Sequence, residues 1–333
     1  MKSFAYDRPA DAASALALLD AHPDARLLGG GTNLVDLMRL GVEHPSRLVD
    51  VSRLDFGGIS VDADGGVRIG ASVRNSDLAG DMTVRSRHPL VAEAVLAGAS
   101  GQLRNMATVA GNLLQRTRCV FFADVSTPCN KRDPGSGCSA RGSGAARELA
   151  VLGASTSCLA TFPGDLAVAL VALDATVEFE TAGGSASIPV DELYRLPGDR
   201  PDRDTTLPPG ALITSITIPA APAGMSTSYR KARDRQSFAF GLVTVAAGLR
   251  LEDGIVSDVR IALGAVSHRP WRARVIEHRL LGVPLDPDTL DDAIAAELSA
   301  AEPEPENAFK LELAHRLISG VLRDLAQRQG EEA

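Results

Sequence analysis

All four cysteines of this 333-residue chain, Cys119, Cys129, Cys138 and Cys158, fall within forty consecutive residues. Unrelated core thiols would scatter along a sequence, so this window is read as a loop-rich unit that gathers them at one place. Their spacings of nine, eight and nineteen intervening residues are not the C-x-x-C pairs of ferredoxins or zinc ribbons. On the residues alone, an iron–sulfur cluster and a structural zinc site with four thiolates stand about even. The stretch "PGSG" makes the backbone compliant, and Lys131 and Arg132 are expected to offset the charge of a cluster. Disulfides are disfavoured, because the first residues lack the apolar core of a secretory signal and the chain is expected in a reducing cytoplasm. A periplasmic location would need a signal-bearing partner. A nucleophilic cysteine would want a histidine, and His22, His44, His88, His268, His278 and His315 all lie outside the window.

Around this window the chain reads as alternating helix and strand. A helix is predicted from Asp11 to Ala21, followed by the strand "RLLGG", a helix in "TNLVDLMRLG" and the strand "RLVDVS". After the window, "PGDLAVALVALDA" predicts a helix opened by Asp165, then the strands "TVEFE" and "ALITSITIP". The Pro-, Asp- and Gly-rich stretches between 199 and 224 mark a domain boundary. Beyond it, strands joined by the turn "EDG" and two or three closing helices predict an α+β domain, with the tail "RQGEEA" frayed. A net charge of -8 argues against nucleic acid and anionic membrane surfaces as partners. No apolar run is long enough to span a bilayer.

Two glycine-bearing stretches look able to hold an anion. "LLGGGTNL", residues 27–34, follows an apolar strand, and consecutive glycines let successive N–H groups point into one concavity. It fits neither a Walker A motif nor G-x-G-x-x-G, and its bland alternative is a strand-to-helix turn with Thr32 as N-cap. A formal fingerprint match at Gly135, Gly137 and Ala140 follows no strand and is set aside. The second stretch, "GQLRNMATVAGN", carries Arg104, Asn105, Thr108 and Asn112, with an ordinary polar loop as its alternative. The run "RKARDR" reads as solvated surface, "AEPEPEN" as a solvated linker, His88 and His268 as loop residues, and Trp271 as packing.

Taken together, "GGGTNL", "LRNMATVAGN", "PGDLAVALVALDA", "YRKARDRQSFAF" and "IALGAVSHRPWRA" resemble, in order, motifs of the FAD-binding subunit of the xanthine dehydrogenase family of molybdenum hydroxylases. The resemblance implies an α+β fold: a two-lobed FAD-binding domain of the vanillyl-alcohol-oxidase-like type, then a C-terminal domain of antiparallel strands and helices. The implied lobes are 1–55 and 56–221, with an insertion at about 115–160, and the C-terminal domain is 222–333. Carried over, the backbone at Leu28, Gly29, Gly30, Gly31, Thr32, Asn33 and Leu34 would bind the FAD pyrophosphate. Thr108, Gly111 and Asn112 would lie by the ribityl chain and pyrophosphate, and Arg104 and Asn105 would also belong to the cofactor-binding set. Asp165 would hydrogen-bond the adenosine half or the ribityl hydroxyls, and Lys231 would approach the flavin ring. Ala110 departs from the family glycine at that position.

The cysteine window resembles the insertion "RC-x-YFR-x-x-x-x-x-CNKR-x-PGSGC" of three-subunit bacterial aldehyde oxidoreductases, which holds a [4Fe–4S] cluster, with Phe121 and Ala123 as departures. That implies Cys119, Cys129, Cys138 and Cys158 as cluster ligands. It also implies a large molybdenum-cofactor subunit and a small [2Fe–2S] subunit as partners, and an external electron acceptor. The alternatives are a stand-alone FAD oxidoreductase and a zinc-stabilised interaction protein without flavin. The resemblance assigns no catalytic acid or base to this chain.

Overall fold

Three sheets organise the computed structural model, which describes residues 1–332. The first is parallel, in the order β1 (Ala5–Asp7), β3 (Arg47–Asp50), β2 (Arg26–Leu28), with α1 (Ala12–Ala21) and α2 (Leu34–Leu40) in its connections. Helix α1 begins where the sequence places it, because the Asp11 side chain accepts from the Ser14 N–H at 2.7 Å.

The second sheet is antiparallel and five-stranded, in the order β4 (Ile59–Val61), β5 (Val67–Gly70), β8 (Leu212–Ile218), β6 (Thr176–Thr181), β7 (Gly184–Pro189). Between β5 and β6 the chain forms α3 (Asn75–Gly80), α4 (Met82–Arg87), α5 (Pro89–Ala97), α6 (Gly101–Met106), α7 (Val109–Leu113), α8 (Val120–Ala123) and α9 (Asp165–Ala172). A short α10 (Val190–Leu193) follows β7. The 101–112 stretch is therefore not a loop but two short helices, capped by Ser100 and Thr108.

The third sheet, also antiparallel, orders β12 (Trp271–Arg272), β11 (Ile255–Gly264), β10 (Val243–Glu252) and β9 (Ser226–Ala232). The "EDG" turn joins β10 to β11 with Asp253 and Gly254 both at positive φ, which matches the right-handed twist of the hairpin. Helices α11 (Arg274–Leu280), α12 (Pro287–Leu298) and α13 (Phe309–Glu332) cover one face.

Period-two alternation along β10 gives both faces of this sheet a core. Val243, Val245, Ala247 and Leu249 pack with the closing helices, whereas Ala246 faces the core that contains α9. All eight residues of α9 are buried, as an apolar helix wedged between two sheets requires. The α+β architecture with an antiparallel C-terminal sheet is thus what the chain adopts. Helix α13 runs through Glu332; Ala333 lies outside the described residues. Among the described residues, no helix is long and apolar enough to cross a membrane.

Candidate functional site

Strand β2 runs into three glycines, and each meets a steric demand. A Cβ on Gly30 would stand 2.0 Å from the Met106 carbonyl oxygen, and one on Gly29 2.8 Å from Thr108 Oγ1, so α6 and α7 pack on bare backbone. Gly31 takes φ +75, a left-handed conformation open to glycine. In the resulting curl, no backbone N–H from residue 29 to residue 34 donates to a backbone carbonyl among the described residues. Such a row of unpaired donors favours an anion. Asn33, not Thr32, precedes the helix, and its side chain makes no cap bond. Its Oδ1 accepts from the Arg116 N–H at 2.9 Å, leaving Nδ2 buried without a partner.

The facing wall is α7, held by Thr108 Oγ1, which accepts from the Gly111 N–H at 3.2 Å. Ala110 lies inside this helix and outside the positive-φ set, so its Cβ brings no strain where the family has glycine. Two cavities of about 620 and 130 Å³ share Thr32, Asn33 and Gly111 in their linings. Leu28, Gly29, Gly30, Gly31, Leu34 and Thr108 line the smaller, and Arg104, Asn112, Asp165 and Lys231 the larger. Of the cofactor residues named from sequence, Asn105 alone lines neither; it is exposed on α6.

Asp165 opens α9 at the cavity wall, where two side chains hold it. It accepts from the Tyr229 hydroxyl at 2.6 Å and from Lys231 Nζ at 2.8 Å, while Lys231 also donates to the Ala97 carbonyl at 3.3 Å. Burial, reinforced by the Asp165 charge, pushes the Tyr229 hydroxyl well above its ordinary range. Of the basic run, the Lys231 side chain is buried, whereas Asp234 and Arg235 lie on the surface as expected. Arg230 pairs with Asp324, Arg233 donates to the Ala97 carbonyl, Asp234 pairs with Arg147, and Arg235 donates to the Phe238 carbonyl.

Sequence reasoning missed Gln115, Arg118, Phe238 and Phe240, which also line the larger cavity. The two phenylalanines carried a signal, being aromatic residues beside a strand end in a chain only 4% aromatic. Burial lowers the Arg118 pKa, with Asp36 acting in the opposite direction.

The four cysteines do converge. Cys119, Cys129, Cys138 and Cys158 line one small cavity with Phe121, Asn130, Lys131 and Leu159, and all four are free. Among the described residues, no three His, Cys, Asp or Glu side chains are arranged to hold one metal ion. Burial raises the Cys119 thiol pKa and pushes Cys158 up to about 12, although Lys131 pulls the latter back. These two thiols are protonated at neutral pH until a metal displaces the proton.

The loop is built by the residues between the cysteines. Asn130 Oδ1 accepts from the Gly135 and Gly137 N–H groups at 3.2 and 2.8 Å, and Nδ2 donates to the Ser157 carbonyl at 3.0 Å. Gly135 and Gly137 take positive φ in that turn, so the formal fingerprint there is loop closure. Arg132 donates to the carbonyls of Phe121 and Phe122 at 2.8 Å each, and to that of Thr127. Lys131, buried, pairs with Asp204 and donates to the Pro201 carbonyl at 2.7 Å. Arg132 is thus engaged in closing the loop, while Lys131 ties it to residues 201–204 and also lines the thiol cavity, where its charge acts on Cys158. Burial pushes the Asp204 carboxyl up, but Lys131 and Arg116 outweigh it and hold its pKa below the ordinary value.

Other bland expectations also change. His88 and His268 do lie between regular elements, but they are buried with both ring nitrogens unpartnered, and burial lowers them to about 4 and about 3. In "AEPEPEN", Glu304 pairs with Arg141, and buried Asn307 donates to the Leu149 and Ala150 carbonyls, so the stretch grips the cysteine unit. Trp271 does pack in the C-terminal core, with its indole N–H on Glu297 at 2.8 Å.

Residues 2–221 match the family described as the FAD binding domain in molybdopterin dehydrogenase, and residues 227–325 match the CO dehydrogenase flavoprotein C-terminal domain. The chain is 48% identical over 326 residues to the aldehyde oxidoreductase FAD-binding subunit PaoB of Escherichia coli (strain K12), covering 97% of this chain and 98% of that one. It is 27% identical to the glyceraldehyde dehydrogenase medium chain of Sulfolobus acidocaldarius, over 89% of this chain and 87% of that one. Its fold matches carbon monoxide dehydrogenase from Hydrogenophaga pseudoflava with a TM-score of 0.76 at 24% identity, covering 98% of each chain. It also matches quinoline 2-oxidoreductase from Pseudomonas putida 86 with a TM-score of 0.75 at 24% identity, covering 99% of each.

Proposed function

From the premise that this chain belongs to the FAD-binding medium subunits of the molybdenum hydroxylase family, we propose that it is the electron-transfer subunit of an aldehyde oxidoreductase. It would stand between molybdenum and [2Fe–2S] partner subunits and an external acceptor. The observation that carries this reading is the joined cleft, with unpaired backbone donors over residues 29–34 at one end and the buried Asp165–Lys231 pair at the other. FAD bound there would supply a centre that takes electrons singly and releases them in pairs.

The chain's own work is placement. The 29–34 backbone and Asn33 Nδ2 would hold the diphosphate, Thr108, Gly111 and Asn112 the middle of the cofactor, and Lys231 would present a fixed positive charge towards the ring. The 2.8 Å contact with Asp165 would hold the Lys231 side chain in place. Arg104 donates to the Gly98 carbonyl at 2.6 Å and would shape the cavity wall; Asn105 would stay at its edge.

The four thiols would hold a [4Fe–4S] cluster. The convergence of all four free thiols on one small cavity, in a window that resembles the cluster-holding insertion, supports this reading. The working division of the chain is two flavin lobes, 1–55 and 56–221, and a C-terminal domain, 222–333.

Anaerobic mixing of an aldehyde with the co-expressed complex, followed at the flavin absorbance band, tests the electron-transfer role. Bleaching in the complex but not in the isolated chain is expected. Bleaching of the isolated chain would mean a stand-alone oxidoreductase, and a colourless protein would mean no flavin.

A further inference from the structure

The residues Gln115, Arg116, Thr117, Arg118 and Cys119 form a single wall between the two candidate sites. Gln115 and Arg118 line the larger cleft, Cys119 lines the thiol cavity, and the Arg116 N–H is bonded to Asn33 in the cradle at 2.9 Å. Four other cations border or enclose that cleft, and each is spent: Arg104 on the Gly98 carbonyl, Lys231 on Asp165, Arg233 on the Ala97 carbonyl and Arg235 on the Phe238 carbonyl.

Arg118 differs from all of them. Among the described residues it donates no hydrogen bond and joins no ion pair, and its Nε is buried without a partner. The Phe240 ring stacks under its guanidinium at 5.4 Å, fixing the plane of the head group. Asp36, in the first turn of α2, lines the same cleft and is the opposite charge that acts on Arg118. A buried Nε with no acceptor is costly unless an anion fills the place, and the planar fork of the half-buried guanidinium suits a phosphate.

We infer that Arg118 is a phosphate-binding residue of the flavin cleft, closing on the cofactor diphosphate from the side opposite the glycine cradle. The cysteine unit thereby contributes a ligand to the flavin site through the residue adjoining its first thiol. This rests on the flavin reading above and extends it to a residue on the other wall.

The test is FAD binding to the deflavinated full chain, followed by flavin fluorescence, with riboflavin as the probe that lacks phosphate. In Arg118→Gln, the Kd for FAD should rise about tenfold or more, as loss of one charge-assisted contact implies, while the Kd for riboflavin stays as in wild type. Arg118→Lys, which keeps the charge but loses the fork, should fall between. Unchanged FAD affinity in Arg118→Gln, or equal weakening for FAD and riboflavin, would overturn the inference, the latter by making Arg118 a packing residue. A folded wild-type chain that binds neither flavin would instead overturn the flavin reading, and this inference with it.

Discussion

The glycine cradle and the cysteine unit lie on two sides of one short wall, yet they are built by opposite means. The cradle rests on β2, α2 and α7, and its defining property is what its groups leave undone: unpaired N–H groups, an orphaned Asn33 amide and a free Arg118. The cysteine unit has one four-residue helix, and its polar groups are consumed in holding the loop: Asn130 on a turn, Arg132 on three carbonyls, Lys131 on Asp204. The cradle leaves donors open towards a cleft, whereas the cysteine unit uses its polar residues to bring thiols together.

Substitutions can break this contrast. The largest effect is expected for Gly30→Ala, whose new Cβ meets backbone at 2.0 Å with nothing flexible to yield. A cost of about 3 kcal/mol or more and loss of FAD binding should follow, checked by urea unfolding and flavin titration. In the cysteine unit, Asp204→Asn strands the buried Lys131 with only the Pro201 carbonyl and should cost about 3–5 kcal/mol, together with iron retention. Lys131→Met should cost less, about 1–3 kcal/mol, because Asp204 keeps Arg116 at 2.8 Å. Equal costs for the two would show that the loop is not organised around that buried cation.

A smaller effect is expected from pH. His88 and His268 have folded pKa values of about 4 and about 3, below the ordinary 6.5, so between those limits the unfolded chain binds more protons. Their contribution is present above about pH 6.5 and is lost as pH falls towards 4 and 3, at up to about 1.4 kcal/mol per pH unit for each. Unfolding at pH 7 and pH 5 should show a gentler slope in His88→Phe than in wild type. The smallest effect belongs to Arg147→Gln: the Arg147–Asp234 pair, though well formed at 2.7 Å, is exposed, and its loss should move Tm by under about 2 °C.

The sequence made the cradle legible because glycines beside a strand have few uses, and here the three are fixed by steric contacts and a left-handed φ. Helices α1 and α9 were legible from Asp11 and from an unbroken apolar run. What was not legible depends on contacts distant in sequence. Lys131 finds Asp204 across 73 residues and Lys231 finds Asp165 across 66, so neither partner can be read from the local pattern. The burial of His88 and His268 is hidden for the same reason, since a neighbouring proline says nothing about what packs over the ring. Arg118 sat unnoticed beside a cysteine that drew the attention.

Iron and acid-labile sulfide in the anaerobically purified complex, with low-temperature EPR of wild type and Cys129→Ser, test the central claim most directly. The account predicts that the variant loses about four iron and four sulfide per subunit, and a [4Fe–4S] signal with them, while FAD stays bound. Zinc in place of that iron, with iron content and EPR untouched by the substitution, would contradict it.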